Sequence, residues 1–288
     1  MQPPLNPSEN KTTYFINPND SGETQRLLDY DLLMTRAMGE RLFPDSYTPS
    51  TGSLVIDFAC GPGRWVNQAA FEYPESEFYG VDISSTMIRY ARAQAQAQRL
   101  PNLTFQEGSV LDPQPFPGAA FDFVNARCIS SFMPVSAWKP FLEEGKRITR
   151  PGGIIRLTEA EWLYTNSEAG EKIADLATRA QWLTGKSFSP DGKRFGSTLA
   201  LPKLFREARL EDIQKQAYHL DVSFGTQSHA LNYQMILAGL EMMRAFLVKT
   251  GVTTKDAFDA LCQQFDYEMQ DPNFLGCYYL LSVWGKRP

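Results

Sequence analysis

Residues 55–65 read VIDFACGPGRW, and this stretch decides the fold. A short apolar run ends in the acid Asp57, a turn carrying Gly61 and Gly63 follows, and a helix is expected to begin directly afterwards. The next apolar run ends in Asp82, about 20 residues beyond the first glycine of the turn. Strand, turn, helix and strand in this order indicate a βαβ unit with both acids at one edge of a sheet.

The same alternation continues as far as about residue 161. Further short apolar runs, NLTFQE, FDFVNA and GIIRLTEAEW, are separated by stretches with helical periodicity or by turn residues. Strands that alternate with helices indicate a mostly parallel sheet covered on both faces. Beyond it we expect further helices, over about 229–249 and 254–269, and a final apolar strand, FLGCYYLLSVW. The fold class is therefore α/β.

The glycine turn between two acids predicts a nucleoside-bearing cofactor at the carboxyl edge of the sheet. Glycines let the backbone approach a ligand without a Cβ clash. The start of the helix adds unpaired N–H groups and the positive end of the helix dipole. An acid at the position of Asp82 can accept hydrogen bonds from ribose hydroxyls.

The turn favours S-adenosylmethionine (SAM) over a dinucleotide. A dinucleotide-binding turn reads GxGxxG, but Val66 stands at the position of the third glycine. Asp57 would repel a pyrophosphate and attract a cation. Because SAM carries a sulfonium and an α-ammonium group, the acid–glycine–acid set fits SAM better than a nicotinamide dinucleotide.

At these residues the sequence resembles the class I SAM-dependent methyltransferases, of the UbiE-like methyltransferase-domain type. DFACGPGR is similar to the family's first motif and GVDIS to its acidic second-strand motif. FQEGSVLDPQPFPGAAFDFVNAR, LEEGKRITRPGGIIRLTE and NFLGCYYLLSVWGKRP are similar to the later strands and their connections. The resemblance is continuous over about 53–161 and resumes over about 199–225 and 274–287.

The resemblance implies a Rossmann-like fold with SAM as its cofactor. The sheet would have seven strands, mostly parallel, in the order 3-2-1-4-5-7-6, with helices on both faces and the seventh strand antiparallel. Asp57 would lie beside the methionine moiety, Asp82 would hold the ribose hydroxyls and Ile83 would pack on the adenine. The full expected set of cofactor-binding residues is Asp57, Ala59, Gly61, Gly63, Asp82, Ile83, Met87, Ser109, Val110, Asn125, Ala126 and Arg127.

The chain is interpreted as one methyltransferase domain with additions that close over the pocket. We expect residues 1–50 to form an N-terminal arm and helix that act as a lid. Residues 51–288 would form the domain, with helical substrate-pocket insertions at about 162–200 and 226–272. The added segments carry many aromatic residues, as enclosed small-molecule pockets do.

Methyl transfer from a sulfonium is an in-line displacement in which the protein mainly aligns donor and acceptor. A general base is required only when the acceptor must lose a proton as it reacts. His229, just before a helix expected to roof the pocket, and Glu159, at the end of the fifth strand, are the candidate catalytic residues. No metal is expected, because the two histidines exclude a three-histidine site and the four cysteines form no CxxC pair.

The 288-residue composition limits the partners. A formal net charge of −5 and the absence of a long Lys/Arg run disfavour nucleic acid. No apolar stretch reaches the length of a membrane span, and the N-terminus does not resemble a secretory signal. Free cysteines are typical of a reduced compartment, so we expect a cytoplasmic protein without a membrane partner. A homodimer is left open.

The predicted function is methyl transfer from SAM to a small, secondary-metabolite-like acceptor. The sequence leaves open whether oxygen, nitrogen, carbon or sulfur is methylated, and in which pathway. Three alternatives remain: a methyltransferase-fold protein that uses SAM for a non-methylating reaction, a non-catalytic binding protein, and a nicotinamide-dependent oxidoreductase. Val66 and Asp57 argue against the last of these.

Overall fold

A mostly parallel sheet with helices on both faces forms the centre of the computed structural model, which describes residues 21–288. The arm expected over residues 1–20 lies outside the described residues. The strands are β1 (Leu54–Phe58), β2 (Glu77–Asp82), β3 (Leu103–Glu107), β4 (Phe121–Arg127), β5 (Thr149–Ala160), β6 (Tyr164–Thr165), β7 (Glu211–Asp221) and β8 (Gly276–Lys286). The helices are α1 (Ser21–Ala37), α2 (Arg64–Glu72), α3 (Ser85–Gln98), α4 (Trp138–Ile148), α5 (Glu168–Leu183), α6 (Ser197–Glu207), α7 (His229–Lys249) and α8 (Lys255–Met269).

The strand order confirms the Rossmann-like arrangement expected from the sequence. The order β3-β2-β1-β4-β5-β8 is parallel up to β5, and β8 runs antiparallel to β5 and to β7. Since β7 and β8 correspond to the sixth and seventh predicted strands, the order 3-2-1-4-5-7-6 is reproduced.

The described sheet has one strand more than the seven expected. The additional strand, β6, pairs with Gly276 and Cys277 of β8. It lies on the same side of β8 as β5, because β7 pairs with the whole opposite edge. A two-residue strand is too short to show an alternating pattern of apolar residues, so periodicity could not predict it.

Alternation of side chains along the strands divides the core between the two faces of the sheet. Val55 packs with apolar residues of α2 and α3, whereas Ile56 packs with those of α4 and α6. A third apolar cluster joins α1, α5, α7 and α8 near one end of β7 and β8. Helices are thereby brought over the carboxyl ends of the central strands. None of the helices between residues 21 and 288 combines the length and apolarity needed to cross a bilayer.

Candidate active site

A cavity of about 290 Å³ opens at the carboxyl ends of β1, β2, β4 and β5. Its floor comes from the residues that end these strands, and its walls come from α1 and α7. Of the twelve residues expected to bind the cofactor, nine line this cavity. They are Asp57, Ala59, Gly61, Asp82, Ile83, Met87, Ser109, Val110 and Arg127.

Gly61 lies in the turn between β1 and α2 and borders the cavity. Its φ of +54° is in the left-handed region, which favours glycine. Its backbone N–H donates to Oδ2 of Asp82 over 2.9 Å. The first glycine therefore joins the turn to the end of the neighbouring strand, directly beside the cavity.

Gly63 has a different role from the one expected. It does not line the cavity. Its φ is +76°, and a Cβ there would lie 2.8 Å from Phe105 Cζ and 2.9 Å from Ala91 Cβ. The second glycine is required because α2 starts against β3 and α3, so it supports the turn from behind rather than admitting a ligand.

Asp82 presents its carboxylate to the cavity from the end of β2. Oδ2 accepts the Gly61 amide, and Oδ1 accepts the Ser84 amide over 2.9 Å. Ser84 also caps α3 by accepting the Met87 amide, and serine directly before a helical pattern is a cap signal that the sequence itself provides. Burial raises the pKa of Asp82, and its backbone hydrogen bonds oppose this shift. The Ile83 amide is a third backbone donor to this carboxylate, which offers about four lone-pair positions and so keeps capacity for a further donor.

Asp57 is 3% exposed at the end of β1. Asn125 faces it from β4 and donates Nδ2–H to Asp57 Oδ1 over 2.7 Å. Burial raises the pKa of Asp57 to about 7, although the charge of Arg127 and the Asn125 hydrogen bond favour the anion. The positive charges near Asp57 are therefore too few to offset its burial, and a cationic ligand beside it would lower its pKa.

Asn125 and Ala126 are fully buried within the sheet and do not line the cavity, unlike the expectation for β4. Asn125 and Arg127 lie two residues apart and so share a face of β4. Asn125 is in register with Asp57 inside the sheet, whereas Arg127 borders the cavity because it ends the strand. Arg127 donates to Asp31 of α1. Asn125 thus acts on the site through Asp57.

Helix α1 supplies cavity residues that sequence reasoning did not assign. Asp31 pairs with Arg127 and lies 3.6 Å from Nε of Arg64. Tyr30 donates its hydroxyl to Sγ of Cys128 over 3.4 Å. These contacts hold α1 against the carboxyl edge of the sheet. Helical periodicity marks which residues share a face but not which strand ends that face will meet, so no local signal identified them.

Glu159, one of the two candidate catalytic residues, lines the cavity at the end of β5 and is fully buried. Its Oε1 accepts the Ile129 amide over 2.9 Å, and its Oε2 accepts the Ser130 amide and the Ser130 hydroxyl, the latter over 2.6 Å. Burial raises its pKa to about 7 against these hydrogen bonds. The carboxylate therefore anchors the turn after β4 as well as facing the cavity.

His229, the other candidate, does not line the cavity. Its Nδ1 lies 3.0 Å from the carbonyl oxygen of Val222, and its ring packs near Phe224, Tyr233 and Phe274. His229 is the first residue of α7 and lies six residues before the stretch of that helix that lines the cavity, Met235–Met243. It is therefore separated from the cavity along the helix axis rather than by the side of the helix that it occupies.

The wall opposite the glycine turn is mostly apolar. It is formed by Trp162, Phe195, Met235, Ile236, Leu240 and Met243. Glu161 also borders it, but its oxygens accept hydrogen bonds from the Gly196 amide and from the Thr198 amide and hydroxyl at the start of α6. This half of the cavity is suited to an apolar group.

Comparison with known proteins relates this geometry to methyltransferases. Residues 55–153, which contain the glycine turn and strands β1 to β4, match the family model described as a methyltransferase domain. The chain carries a methyltransferase domain of the class I, SAM-dependent type over this stretch. Among its relatives, the probable methyltransferase ltbC of Aspergillus luteorubrus is 29% identical over 265 residues, which cover 86% of this chain and 91% of the relative. The demethylmenaquinone methyltransferase of Geobacillus kaustophilus is 25% identical over 202 residues, covering 64% and 80% of the two chains.

Solved structures share the methyltransferase fold at low sequence identity. Phosphoethanolamine N-methyltransferase 2 of Haemonchus contortus, in complex with SAM, superposes with a TM-score of 0.53 at 16% identity, covering 91% of this chain and 57% of that one. The [4+2]-cyclase SpnF superposes with a TM-score of 0.50 at 18% identity, covering 91% and 81%. At these identities the likeness extends to the fold alone.

Proposed function

We propose that the cavity binds SAM with its ribose at Asp82 and its amino-acid end at Asp57, and that a methyl group is transferred to a small, largely apolar acceptor. One observation carries the proposal: the two acids that flank the glycine turn open into the same cavity as Glu159 and the apolar wall from α7. Both acids fit the cofactor. Asp82 keeps acceptor capacity for hydroxyls, and Asp57 is short of positive charge.

Bound SAM supplies a methyl group activated by its sulfonium. The chain then has to align the acceptor and exclude water. Alignment accelerates the reaction because it holds donor and acceptor in a reactive geometry. We propose that α1 and α7 perform this task as parts of the lid expected over residues 1–50 and of the insertion at about 226–272. In support, Leu27, Met34 and Leu240 from these helices border the cavity.

The charges in the acceptor half favour a neutral acceptor. Glu159 and Glu161 are buried there, and an anionic group would be repelled by both. Arg26 also borders the cavity, but its guanidinium is held by both carboxylate oxygens of Glu23 at 2.6 and 2.7 Å. We therefore propose an uncharged, secondary-metabolite-like acceptor without a phosphate or carboxylate group.

Glu159 is the residue that we propose for proton uptake from an acceptor that loses a proton on methylation. A carboxylate offers about four lone-pair positions. Three hydrogen bonds occupy some of them, and Oε1 carries only the Ile129 amide. A pKa of about 7 suits a base that must be deprotonated at neutral pH and still bind a proton.

The test is methyl transfer by purified protein incubated with SAM and a panel of neutral phenols, quinols and amines. A product heavier by one CH₂ unit, together with S-adenosylhomocysteine, supports the proposal. Glu159→Gln should lower turnover and remove its rise through about pH 7, while Glu161→Gln, the matched control, should keep that rise. Turnover of an acceptor without the CH₂ gain would favour a non-methylating reaction instead. This alternative deserves its own assay because the cyclase SpnF has the same fold.

A further inference from the structure

Asp57, Asn125 and Arg156 lie side by side on three adjacent strands. Asp57 is in register with Asn125 between β1 and β4, and Asn125 is in register with Arg156 between β4 and β5. Arg156 Nε donates to Oδ1 of Asn125 over 2.8 Å, and Nδ2 of Asn125 donates to Asp57 over 2.7 Å. A continuous chain of hydrogen bonds therefore runs from a buried cation to the acid at the glycine turn.

Arg156 is an unusual residue for the centre of a sheet. Its side chain is 1% exposed, and its guanidinium lies 5.3 Å from the ring centres of both Trp65 and Phe123. Within residues 21–288 no carboxylate lies within ion-pair distance of it, and Nη2 has no hydrogen-bond partner. Burying an arginine without a direct counter-ion is costly. Packing alone would be served better by an apolar side chain.

The nearby charges indicate what this cation stabilises. Burial lowers the pKa of Arg156 to about 9, so it stays protonated at neutral pH, and the charge of Asp57 acts to keep it so. The reciprocal effect of Arg156 favours the anionic form of Asp57. Arg127 acts in the same direction, and Asp31 acts against it.

The amide of Asn125 transmits the effect by its orientation. Its oxygen points to a guanidinium that can only donate, so its NH₂ group must point to Asp57. Hydrogen bonds in such a chain strengthen one another at low dielectric. Without the cation, the amide could turn its oxygen towards Asp57, and two acceptors would then face each other.

Arg156 also reaches the segment that follows α1. Its Nη1 donates to the carbonyl oxygen of Leu42 over 2.7 Å, and Nε1 of Trp65 donates to the same oxygen over 3.2 Å. The guanidinium thus fixes the chain at the base of the lid helix and the amide beside Asp57 at the same time.

We propose that Arg156 is a positioning residue for cofactor binding, which holds Asp57 oriented and ionised through Asn125 so that it can receive the α-ammonium group at the amino-acid end of SAM. This inference rests on the proposed function, because it assumes that Asp57 contacts that end of the cofactor.

The experiment compares calorimetric affinities of the full chain for SAM and for methylthioadenosine, which lacks both the amino-acid end and the positive charge on sulfur. Arg156→Met should weaken SAM binding by roughly tenfold, the loss of one charge-assisted hydrogen bond, and leave methylthioadenosine within about twofold. The same variant should also shift the loss of SAM affinity at low pH to a higher pH. Arg156→Lys, which keeps the charge, should recover part of the preference for SAM.

Thr158→Val is the matched control. Thr158 lies on β5, the same strand as Arg156, and the change removes a buried hydrogen bond to Ser282 of β8 that does not involve Asp57. It should leave the ratio of the two affinities unchanged. Asn125→Leu removes the middle residue of the hydrogen-bond chain. If Arg156→Met does not fold, the ratio of the two affinities is measured in Asn125→Leu instead. A wild-type ratio in either folded variant overturns the inference. If Asp57→Asn itself leaves SAM affinity unchanged, the proposed cofactor site fails instead.

Discussion

Asp82 and Gly61 are joined by a 2.9 Å hydrogen bond from the glycine amide to the Asp82 carboxylate. The bond connects the end of β2 to the turn after β1, and both residues border the cavity. The same carboxylate that shapes the turn is thus the one proposed to bind the ribose.

Replacing Asp82 should therefore weaken cofactor binding. We expect Asp82→Ala to cost about 1–3 kcal/mol of SAM binding free energy, the usual penalty for unmet charged hydrogen bonds. Calorimetry with S-adenosylhomocysteine measures it. Glu77→Gln, an exposed change at the start of the same strand, is the control and should have no effect. Equal affinities of Asp82→Ala and wild type would remove Asp82 from the ribose site.

Gly63→Ala should act on stability rather than on the cavity. The added Cβ would lie within 3 Å of Phe105 and Ala91 on a backbone with positive φ, so we expect a loss of about 1–3 kcal/mol in the free energy of unfolding. Denaturant titration measures this. Gly185→Ala isolates the backbone contribution, since its φ is +71° and nothing lies within 4 Å of its Cβ. Similar losses in both variants would contradict the packing role of Gly63.

Asp31→Ala should loosen α1. The change leaves Arg127 without its α1 partner and removes the nearby charge from Arg64, so the helix loses its charged contacts with the edge of the sheet and keeps the Tyr30–Cys128 hydrogen bond. Hydrogen exchange of residues 21–37 should become faster, and SAM should protect them less. Asp29→Ala, on the same helix, removes a hydrogen bond from Gln25, which belongs to α1 itself, and should leave the exchange rates unchanged. Unaltered exchange in Asp31→Ala would show that apolar packing alone holds the helix.

SAM affinity should fall as the pH drops below about 7. The pKa of Asp57 is raised to about 7 without ligand, so the acid is increasingly protonated below this pH and loses its attraction for a cation. Binding of a cation favours the anion, and proton release should accompany SAM binding near the pKa. Calorimetry in buffers of different ionisation enthalpy detects this release. Methylthioadenosine, which is neutral, should show neither effect, and a pH-independent SAM affinity would contradict the role of Asp57.

The sequence predicted the central sheet well because each strand and helix there has a local signal. Alternating or continuous apolar runs, the glycine turn and the Ser84 cap can be identified without knowledge of the tertiary structure. The N-terminal helix was less predictable. Helical periodicity in ETQRLLDYDLLMTRAMGERL puts Leu28, Leu32, Met38 and Leu42 on one predicted apolar face. In the structure α1 ends at Ala37, and its deeply buried apolar residues are Leu33 and Met34.

The site residues at the glycine turn and at the neighbouring strand ends could be predicted from the sequence. Those that depend on a contact between distant segments could not. Asp57 and Asp82 follow from strand ends, whose side chains gather at one edge of a parallel sheet. Asp31 and the capping role of Glu159 depend on contacts across about 100 and 30 residues of chain, which periodicity does not encode. His229 was assigned from its expected place at a helix start, but it lies six residues before the first residue of α7 that lines the cavity.

The most direct measurement of the central claim is a crystal structure of the protein with S-adenosylhomocysteine. The account predicts density for the ligand in the cavity, with its ribose hydroxyls on the Asp82 carboxylate and its amino group beside Asp57. Density for the ligand at another place, or a cavity that takes up a nicotinamide dinucleotide in its stead, would contradict it.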